Sequence, residues 1–342
     1  MSAKPSLRML AEAAGVSIAT VSRALAGHAA VEPGTRARIL ALARERGYLR
    51  NDLMAKLMSH VRTGRTQRFV GNLAVIHVPS AVQPQLLPNQ RRIIDGAKNR
   101  AQDLGFQLYE FSLARDKLGA KSYARMLRAR GVQGVIFLYS EPTQLLADFP
   151  WEDFSTIEND YGRHEPVLHT VCVDHHLSLT AALVRLQALG YKRAGFFIAN
   201  FKDARVGHKW SAAFASYQFH SRAIGKLPIH IAEKIEPAPF MRWYRKHRPD
   251  LVIGHVDAAV GWLRDAGVQV PEETAFFNLN WFERKSPCAG LDLRLELQGS
   301  VAVENLVAQI QRGERGLPAE PRVIMVKARW IDGPTIRSAA PA

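Results

Sequence analysis

Cysteine is nearly absent: Cys172 and Cys288 are the two in 342 residues. Two cannot build a disulfide framework, and both sit among apolar neighbours, so they are expected to be buried free thiols in a reducing compartment. No apolar run reaches the roughly eighteen residues that a membrane-spanning helix needs. The opening Met1-Ser2-Ala3-Lys4-Pro5-Ser6 lacks the apolar centre of a signal peptide, and a cytoplasmic location is expected. No phosphate-binding Walker loop, no nucleophile elbow and no zinc-protease motif occurs. The chain is therefore expected to be no enzyme, with no catalytic residue, no cofactor and no metal. Asp174-His175-His176 comes nearest to a metal cluster. It follows an expected strand and precedes an expected helix, where aspartate is an ordinary N-cap, and it is read as that.

Acidic residues are also scarce, 31 against 46 lysines and arginines, for a net charge of +15. The imbalance is uneven. Residues 1–68 hold twelve basic residues and four acids, more than half of the net charge in a fifth of the length. Such a footprint suits phosphate contact with counterion release. A generally basic composition accounts equally well for the excess on the remainder. The length suits a small domain followed by a larger one.

The small domain has the grammar of a helix-turn-helix. Leu7, Leu10, Ala11 and Ala14 recur at helical spacing. Gly15 stops that helix where a left-handed residue is needed, and Ser17 can cap the next. Val21 and Leu25 turn the second helix inward, which leaves Ser17, Ile18, Ala19, Thr20, Ser22 and Arg23 near its outward N-terminal end. A third helix is expected over 32–46, with Pro33 at its start and Ile39, Leu40 and Ala43 inward. A short hinge helix over 51–58, capped by Asn51, precedes a basic polar linker at 59–68.

This string resembles the headpiece of the lactose/galactose repressor family of bacterial transcription regulators. The matching elements are Ala11-x-x-Ala14-Gly15-Val16-Ser17-x-x-Thr20-Val21-Ser22-Arg23, then Thr35-Arg36-x-Arg38-Ile39, then Gly47-Tyr48 and Asn51. The resemblance implies double-stranded DNA, a near-palindromic operator, as a partner of a homodimer. It places base reading on Ile18, Ala19, Ser22 and Arg23. Ile18 and Ala19 can only pack on thymine methyls or shape the groove. Ser22 can bond a base edge or a phosphate. Arg23 can read guanine bidentately or clamp a phosphate. Ser17, Thr20, Thr35 and Arg36 fall near phosphates. Leu57 stands where the family wedges a leucine pair into a minor-groove step. Two positions depart from the family: its proline before the hinge asparagine is Arg50, and a small groove-facing residue is Met54.

From residue 69 short apolar runs alternate with helical patterns. Strands are expected at 70–78, 106–112, 132–139, 154–158, 169–173, 193–199, 229–235, 250–254, 274–280 and 322–330. Helices are expected at 89–104, 119–130, 177–189, 206–219, 239–247, 257–266 and 299–312. The alternation predicts parallel sheets covered by helices on both faces, and ten strands suit two doubly wound subdomains with a cleft at the strands' carboxyl ends. In the family resembled, a periplasmic-binding-protein-like core of this kind crosses three times between subdomains. Here the crossings would fall near 160–176, 289–297 and 316–321. The domains are thus 1–58 headpiece, 59–68 linker, 69–337 ligand-sensing and dimerisation core, and 338–342 tail.

At the expected strand ends stand Asn89, Gln90, Arg205, His255, Asp257, Asn280 and Trp281, polar groups and one platform suited to a hydroxylated, sugar-like effector. Each can instead be a cap or loop residue. They differ from the family's common ligand residues, so the core belongs to a divergent branch. The expected function is a ligand-controlled transcription regulator, a repressor. The alternative is a cytoplasmic solute binder without a regulatory role on DNA, against which the basic headpiece argues.

Overall fold

A computed structural model describes residues 7–25, 31–46, 69–79, 86–113, 119–139, 146, 148–159, 165–221, 225–281 and 287–337. The chain divides into two compact units, Met1–Arg68 and Phe69–Ala342. The expected hinge helix, linker and tail, and with them Asn51, Met54 and Leu57, lie outside the described residues.

Among its described residues the first unit has three helices: α1 (Leu7–Ala14), α2 (Ile18–Leu25) and α3 (Pro33–Glu45). Leu10, Ala11, Ala14, Val21, Ala24, Ile39 and Ala43 make its core. Gly15 has φ +65°. Its amide donates to Glu12 O, and that of Val16 to Ala11 O, the paired bonds that end a helix on a left-handed residue.

The second unit has two lobes. The first runs β1 (Gly71–Val78), α4 (Pro88–Asp103), β2 (Phe106–Ser112), α5 (Ala120–Ala129), β3 (Val132–Tyr139), β4 (Ser155–Asn159) and β5 (His169–Val173). The chain then builds the second lobe with α6 (His175–Ala188), β6 (Ala194–Ala199), α7 (Asn200–Arg205), α8 (Lys209–His220), β7 (His230–Ala232), α9 (Pro237–His247), β8 (Leu251–Gly254), α10 (Ala259–Asp265), β9 (Ala275–Asn278) and β10 (Ala289–Asp292). It returns to the first lobe for α11 (Leu295–Arg312) and β11 (Val323–Val326), and ends in the second with β12 (Arg329–Ile331). The sheets read β11-β5-β4-β3-β1-β2 and β12-β10-β9-β8-β6-β7. The pairings are parallel except β10 with β12, which is antiparallel. Central strands such as β1 are apolar on both faces because helices cover both, whereas edge strand β2 alternates between buried and exposed.

Most expected elements appear within a residue or two of their limits. The exceptions sit at the lobe junction and in the second lobe, where of the expected strand 229–235 only His230–Ala232 forms. The expected strand 322–330 is two strands in different sheets, so the third crossing falls at 327–328 rather than 316–321. The first crossing follows β5, at Asp174, and the second lies at 293–294. Strand β10 and the short helix α7 were not expected, and the helix expected over 206–219 is α8, Lys209–His220.

The crossings are tied to one another. The Asp174 amide donates to Val326 O at 3.0 Å, and the Ala328 amide to Ser178 Oγ at 3.0 Å. Asp292, 4% exposed, accepts from the Arg294 amide at 2.9 Å and from Arg329 at 2.9 Å, and faces Arg92 of α4 at 3.5 Å. Arg92 also holds Glu296 of α11 through two bonds, at 2.6 and 2.8 Å. A charge this deeply placed is tolerable only when paired and hydrogen-bonded on several sides.

Helices α4 and α11 touch backbone to backbone. A Cβ at Gly96 would overlap the Glu296 carbonyl, and one at Gly299 would overlap the Ile93 carbonyl and the Ala97 nitrogen. Gly299→Ala is expected to cost about 1–3 kcal/mol by overpacking and to lower the thermal midpoint of unfolding by several degrees. Gly261→Ala, whose Cβ would meet nothing within 4 Å, is the control and should be neutral or stabilising, since alanine is the better helix former. A Gly299→Ala midpoint equal to that of the parent would show that the two helices can part at no cost.

A second expectation concerns Glu158, 2% exposed on β4. Burial pushes its carboxyl up to about 7, against a hydrogen bond from Thr170 that lowers it. In the unfolded chain the proton leaves near 4.5, in the folded chain near 7. This residue's contribution therefore favours folding most below pH 4.5 and is lost as pH rises to about 7, by an amount on the order of 3 kcal/mol. Glu158→Gln removes the titration, so urea midpoints of the variant should gain on the parent from about pH 5 to pH 8. Parallel curves for the two proteins would remove Glu158 from that dependence.

Candidate functional site

On the headpiece, the Ser17 Oγ accepts from the Thr20 amide at 3.1 Å and lies 2.9 Å from its hydroxyl. This is the N-cap expected from the sequence, and it fixes the start of α2. Ser17, Ala19 and Arg23 are exposed, and so is Ile18 at 49%. A large apolar side chain half in solvent at the first turn of an amphipathic helix is poised for contact rather than for the core. The Ser22 side chain lies outside what is described. Arg38 closes the unit by donating to the Ala14 carbonyl at 3.1 Å.

The start of α3 is capped by Glu32, a residue not singled out from the sequence. Its carboxylate accepts from the Gly34 amide at 3.1 Å and from the Thr35 amide and hydroxyl at 2.9 and 2.8 Å. The Thr35 amide bond is the main reason its carboxyl lies below the usual range. Thr35, expected at a phosphate, thus has its amide and hydroxyl on Glu32 in the free headpiece, while Arg36 is partly exposed one residue on.

In the second unit a cavity of about 340 Å³ lies between the lobes. The first lobe contributes Leu87, Pro88 and Asn89 at the start of α4. The second contributes residues after β6 (Phe201, Lys202), after β7 (Lys234, Ile235), after β8 (His255, Val256, Asp257) and at the end of β9 (Asn278, Asn280), with Cys288 behind them. Four expected residues come together here: Asn89, His255, Asp257 and Asn280. Three do not line it. Gln90 is 8% exposed and its Oε1 accepts from the Leu87 amide at 2.9 Å, so it caps α4. Trp281 donates its backbone amide to Leu291 O and packs its ring against the second lobe's core. Arg205 is solvent-accessible beyond the lining, although desolvation by surrounding protein pulls its guanidinium below the usual range.

His255 is the most perturbed of the lining groups. Burial, then the charges of Lys202, His175 and Arg205, push it down to about 3, so it is a neutral imidazole at any physiological pH. It stands edge-on to Trp210 at 5.8 Å. The same indole also meets His175 edge-on at 4.6 Å, a histidine that burial likewise pushes down to about 3. The Cys288 thiol accepts from Asn278 Nδ2 at 3.7 Å and is pushed up by burial. Asn278 Oδ1 accepts from the Asn280 amide at 2.8 Å, which sets the loop after β9.

Phe201, Lys202, Lys234, Asn278 and Cys288 were not foreseen. Phe201-Lys202 directly follow a strand, so the same strand-end reasoning that found His255 could have found them. Lys234 was hidden inside an expected strand over 229–235, of which only His230–Ala232 forms. Asp174 Oδ1 accepts from the Leu177 amide at 2.9 Å, the N-cap expected of it. Among the described residues no group of three His, Cys, Asp or Glu could hold a metal, and no helix is long and apolar enough to cross a membrane.

A small exposed-helix domain joined to a two-lobed, three-crossing core defines a helix-turn-helix DNA-binding regulator with a periplasmic-binding-protein-like core. The comparisons with known proteins agree. Residues 6–51 match the family of bacterial regulatory proteins, lacI family. The chain is 24% identical over 287 residues to the HTH-type transcriptional regulator RegA of Clostridium saccharobutylicum, covering 80% of this chain and 82% of the relative. Its fold is similar to that of the transcriptional regulator CelR in complex with cellobiose (TM-score 0.56, 20% identity, 97% of this chain and 99% of that one). It is equally similar to a lac repressor dimer bound to operator and the anti-inducer ONPF (TM-score 0.56, 18% identity, 97% and 99%). CcpA of Lactococcus lactis matches over 78% of this chain and all of its own (TM-score 0.56, 13% identity). The N-terminal segment is thus of the lacI type, and the core shares the fold of these regulators.

Proposed function

We propose that this protein is a homodimeric repressor that releases or engages a near-palindromic operator when a small, sugar-like solute binds between the lobes of its core. The observation that carries this is the cavity, lined from both lobes and from the ends of four strands, in a chain that also bears a lacI-type headpiece. A solute held by both lobes binds one lobe arrangement better than another, and so shifts their equilibrium. RegA, CelR and the lac repressor support the class, and the cellobiose and ONPF of the two structures support the effector type.

On DNA, α2 would enter the major groove by its N-terminal end, where Ile18 and Ala19 meet base edges and Arg23 reads guanine. Ser17, Thr20 and Arg36 would lie along phosphates, with Ser22 at a base edge or a phosphate, and Asn51, Met54 and Leu57 would complete the hinge. A transcription regulator rather than an isolated solute binder should select a sequence from random DNA. On the selected operator, Arg23→Ala is expected to cost about 1–3 kcal/mol and to relax preference at one base pair per half-site. Unchanged affinities for operator and random DNA would remove Arg23 from the reading set.

The effector role is checked by linkage. A solute that binds the free protein and the operator complex unequally must change operator affinity by the same ratio, typically about 5–150-fold. Asp257→Ala and Asn280→Ala should weaken that solute without altering DNA binding in its absence. A solute that binds, responds to both substitutions and leaves operator affinity untouched would show that the cavity is not the switch.

A further inference from the structure

The start of α3 holds an anion of the protein's own. Glu32 stands one residue before Pro33, and its exposed carboxylate folds back over the first turn. It accepts from the Gly34 amide at 3.1 Å, from the Thr35 amide at 2.9 Å and from the Thr35 hydroxyl at 2.8 Å. Two successive amides and a hydroxyl converging on one oxyanion are the donors that a phosphate takes at a helix N-terminus. Gly34 leaves room for the fold-back, since a Cβ there would stand 2.9 Å from Glu32 Oε1. The charge of Arg38, one turn along α3, draws on the same carboxylate. The start of α2 differs. Its cap is Ser17, a hydroxyl that accepts from the Thr20 amide and can also donate to a phosphate oxygen. An ionised carboxylate accepts only, and Glu32 stays ionised at neutral pH because its hydrogen bonds, that of the Thr35 amide first, hold it below the usual range.

This inference rests on the headpiece binding DNA as proposed above. We propose that Glu32 stands in for a DNA phosphate: it occupies the amides and the hydroxyl at the start of α3, closes that turn to the backbone, and so lowers affinity for every duplex. A phosphate brought to this turn meets a like charge and donors already in use. Thr35 is then a partner of Glu32 and not of DNA, and Arg36 is left to meet the backbone alone on this stretch. Phosphate contacts carry no sequence information directly, so the loss falls equally on operator and random DNA. Residues 1–68 carry twelve basic residues against four acids. Glu32 tempers that excess at a point of contact, where an acid elsewhere on the surface would be screened by salt.

The test uses the full chain and measures binding to the selected operator and to a random duplex of equal length over a range of sodium chloride. Glu32→Ser keeps a neutral cap on α3, and Glu32→Gln keeps the side chain's length without its charge. Each is expected to bind both duplexes about threefold to tenfold more tightly near physiological salt, with a steeper dependence on salt. Glu45→Gln makes the same charge change at the other end of α3, about 20 Å away by helix rise, and should leave both affinities within about twofold. Thr35→Val should change neither affinity in the parent. Added to Glu32→Ser it should remove part of the gain, because its hydroxyl then faces the backbone. Melting midpoints are measured alongside, and where Glu32→Ser disturbs the helix, Glu32→Gln decides. Glu32→Gln binding no tighter than the parent, or Glu45→Gln gaining as much, overturns the proposal. So does a parent weakened by Thr35→Val at an unchanged midpoint, since Thr35 would then already meet DNA. A gain confined to the operator overturns it too, because Glu32 would then act on base choice. A parent that prefers no sequence fails the regulator reading, whereas one that selects an operator but whose Glu32 variants gain nothing fails this inference alone.

Discussion

The contact of α4 with α11 is the constraint on which the rest of the core depends. Two helices approach so closely that Gly96 and Gly299 can carry no side chain. Two residues separate helix α11 from the end of the second lobe's strand β10, so fixing it against α4 also fixes where the chain leaves one lobe for the other. The same helix α4 presents its first turn to the cavity through Leu87, Pro88 and Asn89, and holds Asp292 and Glu296 through Arg92. One rigid rod thus joins the ligand wall, the crossing and the first lobe's core.

The crossings are held by polar bonds as well as by apolar packing. One apolar cluster runs through both lobes, from Leu73 and Ile93 to Phe196 and Phe277, and beside it polar bonds tie the crossings: Asp292 with two arginines, the Asp174 amide with Val326, Ser178 with the Ala328 amide. Hydrogen bonds and ion pairs of this kind can be exchanged for others at small net cost, whereas a packed core cannot be opened cheaply. His255, Trp210 and His175 form a continuous packed line from the cavity wall to the first crossing, since His175 follows Asp174 directly. Contact along that line is spatial and is consistent with coupling.

Much of this was legible beforehand because it rests on local rules. Gly15, Ser17 and the apolar spacing of Leu10, Ala14 and Val21 specify the helix-turn-helix from short-range chemistry, and the structure forms the same cap and the same helix end. Strands β1, β3 and β5 were readable as continuous apolar runs between turn signals. Strand β10, Ala-Gly-Leu-Asp, was not: four residues with a glycine and an aspartate carry no periodicity, and their extended form comes from pairing with β9 and β12. The run 322–330 looked like one strand because strand propensity does not record which sheet a strand joins.

The candidate site divides the same way. His255, Asp257, Asn280 and Asn89 were found because a parallel sheet places its strand ends on one rim, a consequence of fold class alone. Gln90 and Trp281 met the same criterion, yet their bonds to Leu87 and Leu291 give them local structural work. By itself, then, the sequence determined the helix-turn-helix, the two doubly wound lobes and the strand-end address of the cavity, because each follows from neighbours in the chain or from periodicity. Only the tertiary structure decided which side chains share the cavity, that Lys202 and Phe201 are among them, where the chain crosses between lobes, and that Gly96 meets Glu296 and Gly299 meets Ile93, because each of those depends on groups brought together from distant parts of the chain.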